Sequence, residues 1–141
     1  MRRSFLALAV ALAAVSFNFC ETFANESEEI VDHQPSASEQ QVIQAISDRI
    51  SQVLGSEHFI SIEIKRLVEN KKIYVRNPQW MLTVSSDGKL RSTAGRTTED
   101  NTAVILSRGL IADIQDRRLK EFDRATFSLL RVLMHEASHT A

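Results

Sequence analysis

The stretch Phe127-Ser128-Leu129-Leu130-Arg131-Val132-Leu133-Met134-His135-Glu136-Ala137-Ser138-His139 has the period of an amphipathic helix. Phe127, Leu130, Leu133, Met134 and Ala137 mark one core-facing surface, and from Arg124 onward there is no Gly or Pro. Asp123 is suited to the N-cap, with Phe122 and Phe127 at the N′ and N4 positions of a hydrophobic staple. Such a helix must lay its apolar stripe on something, so the segments before it have to supply a core.

Upstream, a first helix is expected. Ser36 with Glu39, or Ser38 with Gln41, supplies a capping box; Val42, Ile43, Ile46, Ile50, Val53 and Leu54 then share a face, and Gly55 stands at C′. Ile60, Ile62 and Ile64 alternate with Ser61, Glu63 and Lys65, the period of a strand with one wet face. Ile73, Tyr74 and Val75 predict a second strand. Trp80, Leu82 and Val84 alternate with Met81, Thr83 and Ser85, and Asp87-Gly88 marks a two-residue hairpin leading into Leu90. Ala103 to Leu106 is a continuous apolar run, predicting a more buried strand, whereas 92–101 reads as a polar loop. Trp80 and the other aromatic residues are expected in the core. The pattern is α+β: a helix, a small mixed or antiparallel sheet, then the final helix.

The 141 residues fit one domain, and 17 basic against 18 acidic side chains provide no basic field for nucleic acid. Residues 1–24 read as a signal peptide: Arg2 and Arg3 precede the apolar run Leu6 to Val15, and Thr22-Phe23-Ala24 places small residues at −3 and −1 of a cleavage site. The run is short for a bilayer span, so no permanent membrane span is expected after cleavage. Phe19 before Cys20 argues against lipidation, and Arg2-Arg3 fits either a Sec or a twin-arginine signal. Cys20 is the only cysteine, so the mature chain would hold no disulfide and no thiolate ligand. Export to a bacterial periplasm or the extracellular space is the expected destination. Residues 25–37 form a polar, acidic tail without a structural pattern, and 38–141 form the α+β domain.

Chemistry concentrates on the last helix. His135 and His139 are four residues apart, so their imidazoles project from one side about one turn apart. That spacing lets two neutral imidazoles coordinate one tetrahedral Zn²⁺. Glu136 is turned away from the pair but lies near the open coordination position. There a carboxylate can take a proton from activated water and return it to a leaving amine. His33 and His58 complete no ligand spacing and read as exposed histidines.

His135-Glu136-Ala137-Ser138-His139, on a mostly apolar helix after a helix and strands, resembles the N-terminal half of the zincin metallopeptidases. The resemblance covers the five motif residues closely and the preceding ~80 residues only as element order. It implies His135 and His139 as zinc ligands, Glu136 as general base, a polypeptide substrate, and an edge strand that binds this substrate in extended form. A catalytic zinc needs about three protein ligands, and only Thr140 and Ala141 follow His139, with no helix stop signal. The expected explanations are a longer peptidase cut short, recruitment of His58, an upstream carboxylate or a partner subunit, or a non-catalytic remnant. The competing reading is a non-catalytic secreted α+β domain whose His/Glu face is structural.

Overall fold

Residues 30–115 and 124–141 are described by a computed structural model. The segment read as a signal peptide, residues 25–29 of the tail, and Phe122 and Asp123 lie outside the described residues. Helix α1 (Ala37–Leu54) starts at Ser36, which resolves the two possible capping boxes. The Ser36 hydroxyl accepts from the Glu39 N–H at 3.3 Å, and the Ser36 N–H donates to Glu39 Oε2 at 2.8 Å. Val42, Ile43, Ile46 and Ile50 are buried, Val53 is exposed, and Gly55 ends the helix at φ +94°.

The alternating isoleucines that predict a strand form helix α2 (Phe59–Glu69) instead. Ile60 and Ile64, with Leu67, stand at i, i+4 and i+7 and are buried, while Ile62 faces solvent. Period two over five residues is thus also part of a helical stripe, and burial of that stripe overrides the β-preference of isoleucine. His58, expected merely to precede a strand in an exposed position, is the half-buried N-cap; its Nδ1 accepts from the Ile60 N–H at 3.2 Å. Arg66 clasps Glu63 on the next turn, holding that carboxyl below its ordinary range.

Strands β1 (Ile73–Arg76), β2 (Leu82–Val84), β3 (Leu90–Ser92), β4 (Gly95–Thr97) and β5 (Val104–Ser107) follow. β5 is the buried strand that the apolar run predicts. It lies between β1, which is parallel to it, and β4, which is antiparallel, in a mixed sheet. Ile73 opposes Val104 and Val75 opposes Leu106, so these four side chains present one apolar face. Helix α3 (Arg108–Gln115) leaves β5 directly, and α4 (Arg124–Thr140) is the motif helix. All four described helices contribute to the single cluster on that sheet face.

Three other expectations change. β2 and β3 form the hairpin around Asp87-Gly88, but its loop has three residues, Ser86 to Gly88, with Gly88 at φ +76°. Met81, not Trp80, Leu82 or Val84, is the inaccessible residue there; Trp80 is half-buried in a 3₁₀ turn (Pro78–Trp80). Phe59 and Phe127 are also exposed, with the Arg131 guanidinium 5.9 Å from the Phe127 ring centroid. At the end of the polar tail, His33 exchanges backbone hydrogen bonds with Val75 (3.0 and 2.8 Å), and Asp32 pairs with Arg76 at 2.6 Å. The outer edge of β1 is thereby partly covered.

An ion pair joins the start of α1 to the start of α3: Arg108 Nε lies 2.6 Å from Glu39 Oε1. Burial alone raises the Glu39 pKa, but the Ser36 N–H and the Arg108 guanidinium outweigh it and hold the carboxyl below its ordinary value of 4.5. A depressed folded-state pKa contributes stability that is present above the unfolded value and lost as pH falls through the folded one. Glu39→Gln keeps a cap acceptor and removes the charge, so it is expected to cost about 1–3 kcal/mol at neutral pH. Urea denaturation of both proteins is expected to show this gap closing as pH falls below roughly 4.

Candidate functional site

Helix α4 divides its circumference three ways. Leu129, Leu130, Leu133 and Ala137 enter the core; Val132 and Glu136, four apart, face β4; His135 and His139 face solvent. The stripe is rotated relative to the expected one, which is why Phe127 is outside and Leu129 inside. This rotation also decides where the motif carboxylate goes.

Glu136 is buried, and its Oε2 accepts from the Thr97 hydroxyl at 2.7 Å. This contact exists because α4 lies very close to β4 at Gly95. A Cβ on Gly95 would collide with Val132 Cγ1 and stand 3.3 Å from Glu136 Cγ. The strand therefore needs glycine there to bring Thr97 under the glutamate. Gly95 and Thr97 lie in the stretch 92–101, which its sequence presents as a loop. An edge strand of three residues containing Gly, Arg and Thr has no apolar alternation to betray it; the one available signal is the glycine itself, which marks close approach of another backbone.

His135 and His139 are brought together. Their Nε2 atoms are 3.4 Å apart, with the rings edge-on at 4.8 Å between centroids. This distance is that of an N–H···N hydrogen bond between the two rings. Tetrahedral bonds of about 2.0–2.1 Å put two nitrogen ligands about 3.3–3.4 Å apart, so the spacing of the pair matches that of two ligands on one metal ion. Both residues lie near the C-terminal end of α4, whose partial negative charge favours a cation. Among the described residues, no group of three or more His, Cys, Asp or Glu side chains is placed to hold a metal. His58 is committed to capping α2, and Glu136 is bonded to β4.

Two cavities of about 890 and 330 Å³, within the size range of ligand sites, share Thr93, Gly95 and Glu136 in their walls. They adjoin one another beside β4, where these three residues line both. His135 and Arg131 line the larger; His139, Thr97 and Leu82 line the smaller. The motif carboxylate thus lies at the junction. Among the described residues, no helix is long and apolar enough to cross a membrane. In comparisons with known proteins, no family model, no curated protein and no solved structure matches this chain.

Gly95→Ala is expected to push α4 away from β4 and to destabilise the fold by about 1–3 kcal/mol, the usual cost of overpacking. Adding Val132→Ala removes the colliding methyl and is expected to recover most of this loss. Thermal denaturation of the single and double variants checks the pairing.

Proposed function

We propose that this chain is an exported zinc-dependent metallopeptidase domain of zincin type, acting on polypeptides. The observation that carries the reading is the His135–His139 nitrogen pair at metal-ligand spacing, beside a buried glutamate that lines both cavities. The antiparallel edge strand β4 beside the motif helix supports it, as does the mixed sheet preceding that helix. The export assignment rests on the n-region, apolar run and cleavage pattern of residues 1–24.

His135 and His139 would hold the metal. When bound, Zn²⁺ supplies Lewis-acid activation of water and of the scissile carbonyl. Glu136 takes a proton from the attacking water and returns it to the departing amine. Thr97 fixes one carboxylate oxygen, which orients the other for proton transfer. The cavities beside β4 would take the polypeptide next to Glu136.

Two imidazoles are one ligand short of the usual catalytic set, so zinc affinity and turnover of these 141 residues are expected to be low. Zinc titration followed by metal analysis is expected to give one ion per chain at saturation. Either His135→Ala or His139→Ala is expected to weaken binding by more than about tenfold. Any peptide cleavage should disappear in Glu136→Gln while zinc binding persists. Zinc binding indifferent to both histidine substitutions would sink the reading. The alternative, a non-catalytic secreted domain, draws on the Thr97–Glu136 bond as a structural link between α4 and β4. It expects Glu136→Gln to lower stability and neither histidine substitution to affect metal content.

A further inference from the structure

We infer that Arg131 is the specificity-determining residue of the larger cavity, where it binds a carboxylate carried by the polypeptide, either an acidic side chain or a free C-terminus. This rests on the polypeptide-substrate part of the reading above.

Ser128, Arg131, Val132, His135 and Glu136 stand at i, i+3, i+4, i+7 and i+8 on α4, so they share one helix face, and all five line the cavity of about 890 Å³. The rest of its wall, Ile60, Met134 and residues 93–95, carries no charge. The wall therefore holds one guanidinium and one carboxylate. That carboxylate, on Glu136, already accepts from the Thr97 hydroxyl at 2.7 Å. The guanidinium is left facing a cavity whose wall offers it no salt-bridge partner of its own.

Four other arginines show the contrast. Arg66, Arg76, Arg91 and Arg108 bond the carboxylates of Glu63, Asp32, Asp87 and Glu39. Arg131 pairs with no carboxylate among the described residues. Its contact is the Phe127 ring, whose centroid lies 5.9 Å from the guanidinium carbon. An aromatic face holds a cation without using up its N–H donors, so the planar fork stays available for bidentate bonding to a carboxylate. Phe127 is four residues before Arg131, so the side chain reaches back along α4, away from His135 and Glu136. A carboxylate held there stays clear of the Glu136 carboxylate. It is also only about one helical turn from His135, near enough to belong to a polypeptide placed at Glu136.

The test titrates dansyl-labelled hexapeptides into the full chain by fluorescence in the presence of Zn²⁺. One is Ala-Ala-Glu-Glu-Ala-Ala amide, one is Ala-Ala-Gln-Gln-Ala-Ala amide, and one is the glutamine peptide with a free C-terminus. At least one of the two carboxylate-bearing peptides is expected to bind about three- to tenfold more tightly than the uncharged amide, and which of them does so identifies the source of the carboxylate. In Arg131→Gln this preference is expected to fall below about twofold. Circular dichroism reports whether that variant folds; if it does not, Arg131→Met, which keeps an unbranched stem to pack on Phe127, is expected to show the same loss. A preference above about twofold in a folded variant overturns the inference, as does equal binding of all the peptides by the unsubstituted chain. Arg131-dependent binding of inorganic phosphate without any peptide preference also overturns it. Metal content measured on the same samples separates the two readings. An Arg131-dependent preference without bound zinc supports this inference and sinks the metallopeptidase reading. Histidine-dependent zinc with no such preference does the reverse.

Discussion

The close approach of helix α4 to strand β4 at Gly95 is the contact on which the site depends. Val132 occupies the space that a side chain on residue 95 would take, and one helical turn later Glu136 meets the Thr97 hydroxyl. The sheet itself is held by the apolar face of Ile73, Val75, Val104 and Leu106 under the helices. The position of the carboxylate is therefore set by packing, and its hydrogen bond follows from that packing.

The same helical period serves three purposes on α4. Spacing of four puts Leu133 and Ala137 into the core, Val132 and Glu136 onto β4, and His135 and His139 into solvent. A buried carboxylate with a hydroxyl donor retains a defined orientation, whereas the two imidazoles stand open to solvent.

Much of the scaffold was legible. The capping box at Ser36, the glycine stop at Gly55, the buried run at β5 and the motif helix all follow from local rules, because caps and periodicity act over a few residues. Where sequence and structure differ, the cause is tertiary packing. Ile60, Ile62 and Ile64 fit two periods at once, and only the burial of Ile60, Ile64 and Leu67 against the other helices decides for a helix. Phe127 fits the apolar stripe by its chemistry, whereas the packed helix turns Leu129 inward instead. Gly95-Arg96-Thr97 shows no strand signal, since an edge strand that meets a helix through a glycine has no apolar alternation to display.

By itself, the sequence determined the α+β class, the helical carrier of His135, Glu136 and His139, and the one-turn relation between the two histidines, because helical geometry makes residues four apart neighbours. Only the tertiary structure decided that Glu136 is buried against Thr97 and that the cavities beside β4 share that carboxylate in their walls. Those facts join residues distant in the chain, 39 positions apart for Thr97 and Glu136. No local pattern encodes such a pairing; it arises from the way the helices and the sheet pack together.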